Sequence, residues 1–336
     1  MIRVRAPSRL HFGLLNIGSY KPWSNVDGEP ALPARRFGGV GMMIDEPGIE
    51  VRVQPATEWS VRGLMAQRAL AFAKRFAETV PDLTPHQIEL ETQALPHVGL
   101  GTGTQLALAV AKALAGSSGH GDWDSVELAG RVRRGARSAI GIHGFEGGGL
   151  IVEGGKQVDS DISPLVARFE MPNDWRVLLI IPEGLAGRSG DPEQKAFDEL
   201  KRLVNPHEVD ALCRVLLLST LPALVERDYD TFGESLYDYN ARVGEMFAPL
   251  QGGRYANRLV QELVTFCRAQ GIPGAGQSSW GPVVFAVAPT EDRAKHLQSA
   301  IARQYTPVLR VIATRPNNCG FLVDGQSRRY LSNTTS

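Results

Sequence analysis

Apolar and polar residues alternate in several short segments of this chain, which is the pattern of half-buried strands. The alternation is clearest over residues 2–6, 49–53 and 88–92, and the continuous apolar run 177–181 predicts a fully buried strand. A helical period predicts a helix over residues 61–80, and the segment rich in alanine and leucine at 105–115 predicts another. A further helix is predicted to begin after Asp122, a residue type that caps helix N-termini.

The second half of the chain is mostly helical in pattern but ends with strands. Helices are predicted at residues 192–204, 206–226, 229–247, 255–270 and 290–304, and strands at 283–287, 308–313 and 321–323. Because strands and helices are interspersed in both halves, the fold class is α+β. The pattern changes near residue 170, which predicts two domains, 1–170 and 171–336.

Composition excludes several classes of partner. Thirty-six basic and 36 acidic residues cancel, so no global field attracts nucleic acid or an anionic membrane. No apolar run approaches the roughly 20 residues of a membrane helix, and no signal peptide is readable after Met1. The three cysteines lack paired spacing, which is typical of reduced thiols in a cytosolic protein. We therefore expect a cytoplasmic protein without a membrane or nucleic-acid partner.

The most informative segment is a glycine-rich turn between a predicted strand and a predicted helix. Its glycines alternate with other residues in the order Gly99, Leu100, Gly101, Thr102, Gly103, Thr104, Gln105. The N–H groups at a helix start lack helical acceptors, and the helix dipole favours negative charge there. The segment therefore predicts a phosphate site, although it matches neither the P-loop nor the dinucleotide fingerprint. The alternative is an ordinary turn in which the threonines only cap the helix.

Four segments together carry a resemblance to a known family: residues 6–14, 96–105, 138–149 and 274–282. Their order and character resemble the GHMP superfamily, which has an N-terminal substrate motif, a glycine-rich phosphate loop and a late glycine motif. The resemblance implies a GHMP kinase-like two-domain fold. Its N-terminal domain would be of the ribosomal protein S5 domain 2-like type, and its C-terminal domain would be ferredoxin-like.

Within this superfamily the chain looks most like the β-ribofuranosylaminobenzene 5′-phosphate synthases, through residues 8–14, 36–41, 181–197 and 276–282. That resemblance implies a decarboxylating phosphoribosyltransferase of tetrahydromethanopterin biosynthesis. It would join 4-aminobenzoate, or 4-hydroxybenzoate, to 5-phosphoribosyl 1-diphosphate and release CO₂ and diphosphate. The resemblance also implies Mg²⁺ and a homodimer. The kinases of the superfamily carry an Asp base where residues 141–143 read Gly-Ile-His, and its absence favours a carbon nucleophile over a hydroxyl.

The motif positions supply the candidate site residues. His11, His143 and Arg9 are predicted to be catalytic, and Thr104 and Glu193 to hold the metal. The predicted substrate-binding residues are Arg36, Arg188, Ser189, Gly276, Gln277, Ser278, Ser279 and Trp280. Arginine suits the two anionic substrates because its guanidinium binds carboxylate and phosphate oxygens in pairs.

Each of these residues also has a structural interpretation: the histidines could be structural, the arginines could lie at the surface, the glutamate could belong to the first turn of a helix, and the tryptophan could lie in the core. Two other functions stay open from the sequence: an ATP-dependent small-molecule kinase of the same fold, and a phosphosugar sensor that binds without turnover.

Overall fold

A computed structural model gives the fold and describes residues 1–17, 35–92, 98–157, 162–184, 206–305 and 309–324. The strands are β1 Ile2–Asn16, β2 Phe37–Pro55, β3 Ser60–Arg62, β4 His86–Thr92, β5 Leu150–Glu153, β6 Leu165–Phe169, β7 Arg176–Pro182, β8 Ala275–Gln277, β9 Val284–Ala288, β10 Leu309–Thr314 and β11 Leu322–Val323. The α-helices are α1 Ala66–Ala77, α2 Thr102–Ser117, α3 Ser125–Arg131, α4 Ile140–Gly147, α5 Pro206–Val215, α6 Leu221–Glu226, α7 Tyr229–Gln251, α8 Arg258–Ala269 and α9 Glu291–Tyr305. A π-helical segment, Leu216–Thr220, separates α5 from α6. No helix in the described ranges is long and apolar enough to cross a membrane.

The first sheet has seven strands and is organised around β2. Strand β1 pairs antiparallel with β2 from Ile2 to Asn16, and β11 pairs with the outer edge of β1. The opposite edge of β2 is shared by β5 at one end and β4 at the other, and β6 extends from β5. Strands β3 and β4 are parallel and are joined through α1. One edge of β2 is therefore paired with β1 along most of its length, and its other edge is divided between β4 and β5.

Helices α1 to α4 cover one face of this sheet over an apolar core. Helix α2 lies at its centre, where alanine and leucine side chains with little or no exposure allow close packing against the strands. Helix α3 is capped by Asp124, whose carboxylate accepts the N–H groups of Val126 and Glu127 at 2.9 and 2.8 Å. The cap predicted from the sequence was Asp122, two residues earlier. Either aspartate could accept the free N–H groups of a helix start, and Asp124 is the cap because α3 begins at Ser125.

The second sheet has four antiparallel strands in the order β10, β7, β9, β8. In chain order this is 4-1-3-2, the arrangement of a ferredoxin-like β-α-β-β-α-β unit. Leu178 and Ile180 of β7 face the core formed with α8 and α9. Val177 and Leu179 face the opposite way, toward α5 to α7 and the first sheet. The sheet is buried on both faces, which explains the continuous apolar run of β7.

The structure departs from the predicted elements at two places. Residues 60–62, at the start of the predicted helix 61–80, form a strand, because Val61 pairs with Ile88 before the chain turns at Gly63. The predicted helix 206–226 is interrupted by the π-helical segment. The predicted helix 192–204 lies outside the described residues.

Two side chains of α7 join the halves of the chain at β1. The amide nitrogen of Asn240 donates to the carbonyl oxygens of Phe12 and Gln277 at 2.7 and 2.9 Å, and its oxygen accepts the Gln277 N–H at 2.9 Å. The neighbouring Tyr239 hydroxyl donates to the Gly13 carbonyl at 3.1 Å. These buried bonds hold β1, α7 and β8 in one register, since a buried polar group without a partner is costly.

Replacing Asn240 with alanine should lower the free energy of unfolding by about 3 kcal/mol, because three buried backbone groups lose their partner. Denaturant unfolding monitored by fluorescence and circular dichroism measures the change. Gln54→Ala is the matched control, since its amide bonds Gln87 at the surface, and it should cost less than about 0.5 kcal/mol. Equal losses in the two variants would contradict this account of the junction.

Candidate active site

A cleft of about 520 Å³ opens where the two halves meet, within the size range of small-molecule sites. Its walls come from β1, the loop before α2, the loop between α3 and α4, helix α7 and the loop after β8. Four separate sequence motifs thus meet at one cavity. The motifs at residues 6–14, 96–105 and 274–282 each contribute several of its described lining residues. The motif at 138–149 contributes Ser138, and the loop 133–137 that precedes it contributes the other lining residues of this segment.

The glycine-rich turn forms the floor of the cleft. Gly101 is the N-cap of α2 in a left-handed conformation with φ 68°, and its carbonyl accepts the Thr104 N–H at 2.9 Å. Gly99 also has positive φ, at 101°. Residues 99–104 all line the cleft, so the predicted phosphate loop and the N-terminus of a 16-residue helix face the cavity. This is the geometry of a helix-terminus anion site.

Ser278 connects three of the motifs. Its hydroxyl oxygen accepts the His11 N–H at 3.1 Å, and the hydroxyl donates to the Gly99 carbonyl at 2.8 Å. Glycine is required on both sides, because a Cβ at Gly99 would lie 2.3 Å from the Ser278 carbonyl, and one at Gly281 would lie 2.0 Å from the Val98 carbonyl. Ser278 is fully buried and does not line the cleft. It therefore holds the walls together rather than contacting a ligand.

Arginine dominates the charge of the cleft. Among the described residues that line it, six are arginine and none is aspartate or glutamate. Of these, only Arg9 was a candidate from the sequence; the others are Arg68, Arg133, Arg134, Arg137 and Arg254. Arg254 is neutralised by Glu245 at 2.7 Å. Six guanidinium groups in a described lining that contains no carboxylate create a positive potential suited to a polyanion.

Two of these guanidiniums converge on the helix start. A Cβ at Gly103 would lie 2.6 Å from Nη2 of Arg68 and 3.2 Å from Nη2 of Arg134. Arg134 also donates to the Thr104 hydroxyl oxygen at 3.1 Å. Gly101 is similarly close to Arg9, whose Nε lies 2.8 Å from the position of its absent Cβ. Because these glycines have no Cβ, arginines from three elements can lie beside the N–H groups at the helix start. Both kinds of donor can then bind the same anion.

His11 lies beside this charge and is almost completely buried. Burial and, next, the charge of Arg9 hold the pKa of its imidazole well below the usual range, so the ring is neutral in neutral solution. Its Nε2 is 3.2 Å from the Ser138 hydroxyl oxygen, and its carbonyl accepts the Ser279 N–H at 3.1 Å. Both His11 and Ser138 line the cleft.

The loop after β8 supplies an aromatic wall. Trp280 lines the cleft and packs edge-on against Phe247 of α7, with ring centroids 4.6 Å apart. Ser279 is held with φ 57°, a conformation that non-glycine residues adopt only where their surroundings impose it. The Gln277 side chain accepts the Ala256 N–H at 2.7 Å and donates to the Ser279 carbonyl at 2.9 Å, which fixes this loop.

Several predicted site residues are not brought to the cleft. The Nε2 of His143 lies 2.8 Å from the Ser163 carbonyl oxygen, outside the cleft, which does not support a catalytic role. Gln105 turns away from the loop and donates to the Gly141 carbonyl at 2.7 Å, which links α2 to α4. Arg36 pairs through its backbone with Lys156. Gly276 is buried against Asn240.

Arg188, Ser189 and Glu193 lie outside the described residues, so their predicted roles stay predictions. The described lining does not fit a protein-held Mg²⁺. It offers no carboxylate, and the predicted ligand Thr104 shares its hydroxyl with a guanidinium. No group of three or more potential metal-binding side chains occurs within the described ranges. Divalent cations of this type need several oxygen ligands, carboxylates foremost.

The missed arginines had one readable signal. Residues 131–137 read Arg-Val-Arg-Arg-Gly-Ala-Arg, a basic run immediately before the third motif. Arg68 had no such signal, because it comes from α1 and reaches the loop only through the packing of α1 beside α2.

Gly103→Ala should weaken the binding of inorganic diphosphate about tenfold or more, because the methyl group displaces the Arg68 and Arg134 guanidiniums from the helix start. The free energy of unfolding should stay within about 1 kcal/mol, since alanine is the better helix former. Calorimetric titration and thermal unfolding measure the two effects.

Gly130→Ala is the matched control, because this glycine of α3 has no atom within 4 Å of its Cβ position. Its diphosphate affinity should equal that of the unmodified protein. Unchanged affinity in Gly103→Ala would show that the loop is not the diphosphate site.

Relatives with similar sequences support these observations. The family model "GHMP kinases C terminal" matches residues 220–306. A protein named β-ribofuranosylphenol 5′-phosphate synthase from Archaeoglobus fulgidus is 30% identical, over 96% of this chain and 100% of that protein. One of the same name from Methanothermobacter thermautotrophicus is 29% identical, over 94% of this chain and 97% of the relative.

Solved structures agree on the fold. Homoserine kinase from Cytophaga hutchinsonii superposes with a TM-score of 0.66 at 17% identity, covering 96% of each chain. Mevalonate kinase from L. major, in complex with R-mevalonate, gives 0.65 at 14% identity, covering 94% of this chain and 96% of that chain. These likenesses extend over both halves of the molecule, whereas the full-length sequence similarity is to the synthases. The chain belongs to the β-ribofuranosylphenol 5′-phosphate synthase family and has the GHMP kinase fold.

Proposed function

We propose that this protein is a decarboxylating phosphoribosyltransferase. It transfers the ribosyl 5-phosphate group of 5-phosphoribosyl 1-diphosphate to the carboxyl-bearing ring carbon of a para-substituted benzoate. The products are a β-ribofuranosylbenzene 5′-phosphate, CO₂ and diphosphate. The observation that carries the proposal is the composition of the cleft, in which a phosphate loop and six arginines face an aromatic wall without an acidic residue among the described lining.

The phosphate end of the cleft suits the leaving group. As the bond from the ribose anomeric carbon to diphosphate breaks, negative charge grows on the diphosphate oxygens. The N–H groups at the start of α2 and the guanidiniums of Arg68 and Arg134 meet that charge. Fixed donors aimed at a developing charge lower the barrier without reorganisation. We therefore assign the diphosphate group to residues 101–103 at the start of α2.

The aromatic end suits the acceptor. Trp280, supported by Phe247, offers a flat face for a benzoate ring close to the phosphate loop. The ring carbon attacks the sugar carbon, and loss of CO₂ restores aromaticity, so no organic cofactor is required. The protein has to align two anionic substrates and keep water from the activated sugar.

The acceptor is 4-hydroxybenzoate or 4-aminobenzoate. The relatives' name contains a phenol, the product expected from the hydroxy acid. We therefore propose 4-hydroxybenzoate as the first acceptor to test. Participation in tetrahydromethanopterin biosynthesis and assembly as a homodimer belong to the same proposal.

Incubation with phosphoribosyl diphosphate and carboxyl-labelled 4-hydroxybenzoate, or 4-aminobenzoate, should release labelled CO₂ and diphosphate in equal amounts. The assay is run with added Mg²⁺ and separately with EDTA. Folded protein that leaves both acceptors intact would contradict the proposal, and acceptor-dependent consumption of ATP would indicate a kinase instead.

Arg134→Gln and Arg68→Gln should each lower kcat/KM for phosphoribosyl diphosphate about 100-fold, because each removes a charge-assisted contact to the leaving group. Part of the loss should appear in kcat, since the charge grows in the transition state. Arg258→Gln is the control, because this arginine is 92% exposed and its ion pair among the described residues is with Glu262 on its own helix. Steady-state kinetics compares the three, and equal behaviour would overturn the assignment.

A further inference from the structure

His11 differs from every other described side chain that lines the cleft. Those side chains include six arginines, which stay protonated, and Tyr255, whose hydroxyl pKa is raised by burial. The remainder are hydroxyl, amide, indole, phenyl and aliphatic side chains, together with glycines that have no side chain. Within this described lining, His11 is the sole group that can take up a proton in neutral solution.

Contacts with the segment of residues 138–140 fix the orientation of the ring. Glu153 is fully buried, and its Oε2 accepts the Ala139 N–H at 2.7 Å. The nearby Ser138 side chain opposes the burial that raises the pKa of this carboxyl, and its hydroxyl oxygen accepts the Ile140 N–H. That oxygen lies 3.2 Å from Nε2 of His11 and 3.3 Å from the backbone nitrogen of Ile140. We assign the His11 proton to Nε2, which then donates to the Ser138 hydroxyl oxygen.

The other ring nitrogen is then a lone-pair acceptor. Nδ1 of His11 has no hydrogen-bond partner among the described residues, and the side chain lines the cleft. Its strand neighbour Arg9 packs against the phosphate loop. The backbone carbonyl of His11 accepts the Ser279 N–H beside Trp280. His11 thus lies between the position of the diphosphate and the aromatic wall.

The proposed reaction needs a proton acceptor only for one class of substrate. The ring carbon of a phenol becomes strongly nucleophilic when the hydroxyl proton leaves, whereas an amino group donates its lone pair without losing a proton. Building on the proposed function, we propose that His11 accepts at Nδ1 the hydroxyl proton of a phenolic acceptor, and that Ser138 and Glu153 are positioning residues for it.

The step balances in protons and electrons. The phenol O–H bond breaks toward Nδ1, its electron pair forms a ring carbonyl, and the carboxyl-bearing carbon bonds to the ribose anomeric carbon as diphosphate departs. The bond to the carboxylate then breaks, its electron pair restores the aromatic ring, and the oxygen regains the proton from His11. Burial and the charge of Arg9 keep the imidazole neutral before the acceptor binds.

His11→Gln tests the proposal with three acceptors: 4-hydroxybenzoate, a ring-fluorinated 4-hydroxybenzoate already ionised at neutral pH, and 4-aminobenzoate. Turnover of 4-hydroxybenzoate should fall at least 100-fold, and turnover of the other two at most 10-fold. Ser138→Ala, which keeps the ring but releases its orientation, should show the same selectivity with a smaller loss, and Ser138→Thr should restore it. His296→Gln, an exposed histidine of α9, is the control.

Equal losses with all acceptors in His11→Gln and Ser138→Ala would overturn the proton-transfer role while leaving the proposed function intact. An unmodified enzyme that turns over 4-aminobenzoate but no phenol would overturn it as well. An unmodified enzyme that turns over none of the acceptors would instead contradict the proposed function itself. If His11→Gln fails to fold, the selectivity of Ser138→Ala decides the question.

Discussion

The cleft depends on one buried hydroxyl group that connects three distant chain segments. Ser278 accepts a hydrogen bond from the β1 backbone at His11 and donates one to the phosphate loop at Gly99. Its position requires glycine at 99 and 281, where a side chain would overlap backbone atoms. Because these segments cannot move apart without exposing unpaired polar groups, the loop, the imidazole and the tryptophan wall keep one relative arrangement.

That fixed arrangement is consistent with a kinase-like fold that carries out the proposed phosphoribosyl transfer. The start of α2 has the geometry of a helix-terminus anion site, and arginines from three elements are packed against it. In the proposed reaction, this positive charge from side chains and a helix terminus would stabilise the departing diphosphate. The third motif contains no aspartate, and the described lining instead includes a neutral histidine whose Nε2 lies 3.2 Å from the Ser138 hydroxyl oxygen. Carbon–carbon bond formation fits this equipment better than phosphoryl transfer to a hydroxyl.

Strand and helix periodicity predicted the α+β class, and the resemblance carried by the four motifs predicted the GHMP-like fold. Glycine spacing predicted the turn before α2, whose role in binding phosphate stays a prediction. The motifs also predicted Arg9, His11, Gln277, Ser279 and Trp280, which line the cleft. The direction in which each side chain points was not predictable from the sequence. Gln105 and Ser278 belong to the motifs, yet their side chains form hydrogen bonds to other elements and do not line the cleft.

Arg68 was missed for a related reason. Its distance to the loop is set by the packing of α1 against α2, which no short pattern records. Motif membership thus identified the segments of the site, and tertiary packing decided which side chains enter it.

The central claim is that the diphosphate occupies the start of α2 while the acceptor ring lies on Trp280. A crystal structure with phosphoribosyl diphosphate and 4-hydroxybenzenesulfonate, which cannot lose CO₂, tests it most directly. The account predicts diphosphate oxygens bound by the N–H groups of residues 101–103 and by Arg68 and Arg134, with the ring against Trp280. Diphosphate bound away from this loop, or a ring that does not contact the tryptophan, would contradict the account.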